Sequence, residues 1–210
     1  MKSVVILAGG KSSRMGRDKV LLELDGKTFI ERIFFNALEC FEHVIISTDS
    51  EDHAKAIREL PAFADTSFEI VTDHYKEAGP AGGICSVFES SDVHRFSIIS
   101  VDVPFCNMRV LEALYDRCSK KAAYLQIGSG RPEPLIAAYD RSAYAHIKKS
   151  LDAGLYKLRM AVPDTEIDIV TDAELKEEFP ELAALNFENA FSNFNTPEEY
   201  SEMSQKGSTF

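Results

Sequence analysis

Ser3-Val4-Val5-Ile6-Leu7-Ala8-Gly9-Gly10-Lys11-Ser12-Ser13-Arg14-Met15-Gly16-Arg17-Asp18-Lys19 is a short apolar run, a glycine pair and then a cluster of cations. An unbroken apolar run of this kind reads as a strand buried on both faces, the usual state of a strand in a parallel sheet covered by helices. Apolar runs recur at 43–48, 68–72, 96–101, 123–127 and 134–139, many of them rich in Val and Ile. Between them, Phe29, Ile33, Phe34, Ala37 and Leu38 make one stripe at helical spacing, and Val110, Leu111, Leu114 and Cys118 make another. The alternation predicts an α/β fold of three layers, α/β/α, with a mostly parallel sheet and right-handed crossovers.

Local punctuation refines this. Thr28, three residues before Glu31, is a capping-box pattern, and Thr196-Pro197-Glu198-Glu199 places an N-cap, a first-turn proline and two acids at the start of a last helix. Leu21 to Lys27, with Asp25-Gly26, reads as a short extended piece and a turn. Gly128-Ser129-Gly130 reads as a turn joining two strands, so part of the sheet is expected to be antiparallel. Residues 1–204 are expected to form one domain, and 205–210 a disordered tail.

Composition narrows the function classes. The chain has 210 residues, 45% hydrophobic and 27% charged, enough for a core without staples. Its net charge of -11 argues against nucleic acid or an anionic membrane as partner, because phosphate-backbone binding rests on summed basic charge. No apolar run approaches the length of a membrane span or a signal-peptide core, so a cytoplasmic location is expected. Cys40, Cys85, Cys106 and Cys118 form no C-x-x-C pair and are read as reduced and structural.

Against that acidic background, Lys11, Arg14, Arg17 and Lys19 stand out directly after the glycine pair. They follow the first strand, where an open α/β sheet binds its ligands. Gly9 and Gly10 let backbone approach a nucleotide, exposed N–H groups can take phosphate oxygens, and Arg14 and Lys19 can neutralise phosphate charge. A Walker A loop would need glycine at Val5, and G-x-G-x-x-G is absent, so both better-known loops fail on spacing. A tight turn with solvated cations remains the alternative.

The string L-A-G-G-x-S-x-R-M-G-x-D-K, as it stands from Leu7 to Lys19, resembles the signature of the MobA family of molybdenum-cofactor guanylyltransferases. Further motifs extend the resemblance over residues 3 to about 200: Asp102-Val103-Pro104-Phe105, Gly79-Pro80-Ala81-Gly82-Gly83, Gly130-Arg131-Pro132-Glu133-Pro134-Leu135 and Asn193-Phe194-Asn195-Thr196-Pro197-Glu198. It implies a Rossmann-like nucleotide-diphospho-sugar transferase type of fold. It also implies transfer of GMP from GTP to the phosphate of molybdopterin, with release of pyrophosphate. Transient contacts with molybdenum-cofactor insertion proteins are implied too.

What the resemblance implies for single residues can be set beside their ordinary readings. Arg14, Lys19 and Asp102 are the expected catalytic residues. Asp102 is also the expected ligand of Mg²⁺, with Mn²⁺ as a substitute; a lone D-x-P-F would otherwise be a turn or helix cap. Leu7, Ala8, Gly9, Gly10, Lys19, Ser47, Asp73, Gly79 and Asp102 are the expected GTP contacts, with Asp49 a rival to Ser47. The family has Leu and Ala where this chain has Ala81 and Gly82, so a roomier, looser loop is expected there. Arg131, Asn193 and Asn195 are expected at the pterin, through an arginine fork and amide groups, although Asn195 also reads as a helix cap. Arg159 or Lys157 is a further candidate for the pterin. Cytidylyl transfer to the same pterin is the nearest rival; that family has L-A-A-G in place of Leu7-Ala8-Gly9-Gly10. A sugar-nucleotide pyrophosphorylase fits less well, and a non-catalytic nucleotide-binding protein of the same fold is the rival from another class.

Overall fold

The structure is a computed structural model that describes residues 1–9, 19–24 and 26–194, with the side chain of Lys19 excepted. Gly10, Arg14, Asn195, the turn residue Asp25, the helix expected from Thr196 and the tail lie outside the described residues, as does the side chain of Lys19.

The chain begins with β1 (Ser3–Leu7), a small hairpin of β2 (Glu23–Leu24) and β3 (Lys27–Thr28), and α1 (Phe29–Ala37). It continues through β4 (His43–Thr48), α2 (Glu51–Arg58), β5 (Glu69–Thr72), α3 (Pro80–Ser90), β6 (Arg95–Ser100) and α4 (Met108–Arg117). Then come β7 (Ala122–Gln126), β8 (Glu133–Asp140), α5 (Tyr144–Asp152), β9 (Ile167–Thr171), α6 (Asp172–Glu178) and α7 (Phe187–Ala190).

Seven strands form one sheet in the order β5-β4-β1-β6-β8-β7-β9. β5, β4, β1 and β6 pair in parallel, β8 pairs antiparallel with both β6 and β7, and β9 pairs parallel with β7. One reversed strand in a parallel sheet is the mixed arrangement expected from Gly128-Ser129-Gly130. Gly128 takes φ +52° there, and the Gly130 N–H donates to Ile127 O at 2.9 Å.

The two-residue period of β1 shows how the layers assemble. Val4 and Ile6 face a core shared with α1, α4 and α6, while Val5 and Leu7 face a second core built with α3 and α5. Helices therefore cover both faces of the sheet. Phe34 packs edge to face with Phe63 and Phe68 in the first core, and Phe88 packs on Phe96 in the second.

Five of the six predicted strands shift by one residue at one or both ends, and β4 matches. Sequence reading did not anticipate β9, an edge strand in which Asp168 interrupts the apolar run and accepts hydrogen bonds from the Ser119 and Lys120 N–H groups. The segment around Gly79–Gly83 is also corrected. α3 starts at Pro80 and buries Ala81, Gly82 and Gly83, so this is a packed first helical turn and not a loose loop. Its physical cause is Pro80 at the first helical position and Gly79 before it at φ +61°, a conformation that favours glycine.

At the start of α1, the capping box is complete. The Glu31 N–H donates to Thr28 Oγ1 at 3.2 Å, and Glu31 Oε2 accepts from the Thr28 N–H at 2.6 Å and its hydroxyl at 2.8 Å. Thr28→Ala removes the hydroxyl from a buried position and is expected to lower unfolding free energy by about 1 kcal/mol, read as a shift in urea midpoint at unchanged m-value.

Candidate functional site

Register fixes the line of the site. Leu7 on β1 is level with Ser47 on β4 and with Ser100 on β6, and Thr48 is level with Thr72 at the end of β5. The carboxyl ends of four parallel strands thus share one edge. With strands about 4.8 Å apart, Asp73 after β5 and Asp102 beyond β6 stand roughly 14 Å apart along it.

A cleft of about 550 Å³ opens over this edge. It brings together Leu7, Gly9, Ser47, Asp73 and Gly79, five of the residues expected at a nucleotide, and adds Asp49, Tyr75 and Ser100. Both Ser47 and its rival Asp49 line it. Ser47 is buried, whereas Asp49 is more open and pairs with His53 at 2.6 Å. Ala8 lies buried below the cleft, its N–H donating to Ser47 O at 2.7 Å, so it continues the β1–β4 pairing.

Glycines in the cleft wall are there for contact. A Cβ on Gly9 would stand 2.9 Å from the backbone N of Asp49, and one on Gly83 would stand 2.8 Å from Ser47 Oγ. A Cβ on Gly82 would meet Asp73 Oδ2 at 2.8 Å. Sheet edge and α3 therefore approach more closely than larger residues permit.

Asp73 is a carboxylate of the cleft held by three hydrogen bonds. Its N–H donates to Thr48 O at 2.7 Å, and its Oδ1 accepts from the Tyr75 N–H at 2.7 Å and from the Ser86 hydroxyl at 2.9 Å. Both side-chain bonds fall on Oδ1, and Oδ2 packs beside Gly82 of α3. Burial pushes the Asp73 carboxyl above the usual carboxylate range, against the lowering effect of those two bonds. A carboxylate held this way gains from a ligand that brings N–H donors.

Asp102 sits two residues beyond β6, half-buried, and its carbonyl accepts the Phe194 N–H at 2.9 Å. Phe194 also packs on Phe105 and Phe29, tying the C-terminal segment, with exposed Asn193, to the Asp102 turn. Antiparallel β8 begins at this same edge, which puts exposed Arg131 there. Arg159 joins it, its Nη2 donating to Pro132 O at 2.9 Å. Arg131, Arg159 and Asn193 thus share the sheet edge with Asp102, and none of the four lines the cleft.

The donor set suits a hard cation that shares its shell with ligand oxygens. Among the described residues no group of three His, Cys, Asp or Glu side chains converges on one point, so a metal held wholly by such side chains has no home there. A single carboxylate such as Asp102 fits Mg²⁺, which retains water and takes phosphate oxygens. Cysteine chemistry is not offered: all four thiols are free, and burial pushes Cys85 and Cys106 up to about 12 and Cys118 to about 11.

Two contributors escaped the sequence reading. Tyr75 was signalled only by an aromatic residue two places after Asp73. Ser86, fully buried on α3, carried no local signal at all, because its role comes from the packing of α3 against β5.

Comparison with known proteins follows the same lines. Residues 4–165 match the family model described as a MobA-like NTP transferase domain. A "Probable molybdenum cofactor guanylyltransferase" of Methanosarcina mazei is 30% identical over 207 residues, covering 96% of this chain and 89% of that protein. A protein of the same designation from Bacillus cytotoxicus is 29% identical over 208 residues, covering 97% of each. The crystal structure of molybdopterin-guanine dinucleotide biosynthesis protein A from Archaeoglobus fulgidus superposes with a TM-score of 0.80 at 23% identity, over 99% of this chain and 100% of that one, and so shares its fold.

The closeness of β1 and β4 at the cleft can be tested directly. Gly9→Ala forces backbone apart at Asp49 and is expected to cost about 1–3 kcal/mol of stability, measured by equilibrium denaturation.

Proposed function

This chain belongs to the MobA-like NTP transferase family, and from that premise we propose that it transfers GMP from GTP to the phosphate of molybdopterin, in the presence of Mg²⁺, with release of pyrophosphate. The observation that carries the reading is the convergence of Leu7, Gly9, Ser47, Asp73 and Gly79 on one cleft at the carboxyl ends of the parallel strands. The relatives named above bear designations of the same activity.

The nucleotide lies along the sheet edge, base toward β5 and phosphates toward β1 and β6. Asp73 Oδ2 accepts from the N–H donors on the edge of guanine, an edge that offers both a ring N–H and an amino group. Cytosine offers an amino group alone, so a carboxylate here favours GTP over CTP. Gly9 admits the nucleotide backbone-close, and the segment after it carries Gly10, Arg14 and Lys19 to neutralise the triphosphate. Arg131, Asn193 and Asn195, with Arg159, belong to the pterin end.

An oxygen of the pterin's phosphate attacks the α-phosphorus of GTP, a new P–O bond forms, and the bond to the β-phosphate oxygen breaks with its electrons leaving on pyrophosphate. No general base is needed, because the attacking phosphate is already ionised. Alignment and charge neutralisation carry the rate, which assigns it to Arg14, Lys19 and Asp102. Mg²⁺, or Mn²⁺ in its place, held by Asp102, would supply positive charge where it accumulates on the phosphates. Four free cysteines suit the reducing cytoplasm, where we place the enzyme.

Incubation with GTP, Mg²⁺ and molybdopterin is expected to release pyrophosphate in a pterin-dependent manner, faster with GTP than with CTP. Lys19→Ala and Asp102→Ala are each expected to lower turnover by about two orders of magnitude or more at unchanged melting temperature. Near-normal turnover in either variant removes that residue from the mechanism, and preference for CTP selects the cytidylyl alternative.

A further inference from the structure

Tyr75 is fixed more firmly than a loop tyrosine needs to be. It lines the cleft two residues after Asp73, yet its hydroxyl reaches away to α3, donating to Glu89 Oε1. Tyr144, at the start of α5, donates its own hydroxyl to the same oxygen at 2.7 Å. His74 Nδ1 stands 3.4 Å from Glu89 Oε2, and Lys148 Nζ lies 5.5 Å from the centroid of the Tyr75 ring. One turn earlier on α3, Ser86 takes the His74 N–H at 2.9 Å and donates to Asp73 Oδ1. The strip from Asp73 to Tyr75 is therefore held to one helix by two side chains three positions apart.

We propose that Tyr75 is the platform on which the base of the bound nucleotide stacks, and that Glu89 is a positioning residue that holds the ring in place. The inference rests on the guanylyl-transfer reading and deepens it. In that reading Asp73 receives the edge of the base, and an aromatic ring two residues away along the same wall is available to its face. A base stacked on an aromatic ring gains affinity with little dependence on base identity. A ring fixed beforehand by its hydroxyl and by a cation over it loses less freedom when the base arrives. Glu89 can only accept while ionised, and it is suited to both phenols: burial alone would raise its carboxyl, but the bonds from Tyr75, Tyr144 and His74 outweigh burial and hold it below the usual range.

The test is steady-state kinetics and equilibrium GTP binding on the full chain with Mg²⁺ and molybdopterin. Tyr75→Ala is expected to raise the Kd and KM for GTP about tenfold, with the loss falling on KM more than on kcat. Tyr75→Phe, which keeps the ring and loses the bond to Glu89, and Glu89→Ala are expected to show the same smaller increase. Glu89→Gln, whose side-chain carbonyl still accepts from the phenol, should recover most of the wild-type KM. In a Tyr75→Ala background, Glu89→Ala should change KM by less than about twofold, since its effect passes through the ring. A wild-type KM in Tyr75→Ala, or an undiminished effect of Glu89→Ala in that background, overturns the proposal while leaving guanylyl transfer intact. A wild-type protein inert toward GTP overturns the guanylyl-transfer reading first and this inference with it.

Discussion

The pairing of β1 with a parallel neighbour on each side is the constraint on which the rest of the molecule depends. It sets Leu7 level with Ser47 and Ser100, so that three strands end together and their following residues meet over one edge. It also divides β1 between two cores, Val4 and Ile6 to one and Val5 and Leu7 to the other, so any slip in register disturbs both helical layers. Gly9 extends the constraint into the cleft: the chain leaves β1 in contact with the backbone at Asp49, and only a residue without a side chain passes there.

Charge is distributed along the same edge. A protein of net charge -11 repels a nucleoside triphosphate at long range, so affinity must be local. In the sequence the cationic residues follow β1, and the two carboxylates stand toward the ends of the edge. Asp73, raised by burial and braced on one oxygen, suits N–H donors. Asp102, at the turn beyond β6, suits a divalent cation together with phosphate. In the proposed function the same residue type serves opposite ends of one ligand, and environment separates the roles.

Much of this fold is legible in the sequence. The apolar runs located six of the seven strands of the sheet, because the interior strands are buried on both faces and must be apolar, while edge strand β5 is half-buried yet keeps an apolar run. Thr28 and Glu31 announced their capping box, and the Gly128–Gly130 turn announced the reversed strand. What stayed hidden depends on contacts between distant segments. Gly82 and Gly83 read as loop residues because glycine is a poor helix former, yet they sit in α3 where Asp73 and Ser47 leave no room for a Cβ. Ser86 and Glu89 belong to no motif in the sequence, and only the packing of α3 beside β5 shows them holding Asp73 and Tyr75. β9 was missed because an edge strand tolerates Asp168 and half-exposed Ile169. For the cleft, motif and resemblance named residues scattered over more than seventy positions, from Leu7 to Gly79, and the fold gathered five of them.

The most direct measurement follows label from the α-phosphate of GTP. In guanylyl transfer, α-labelled GTP yields a labelled pterin dinucleotide, while label in the γ position leaves entirely in pyrophosphate. Label that stayed with free nucleotide, or γ-label arriving on the pterin, would contradict the account.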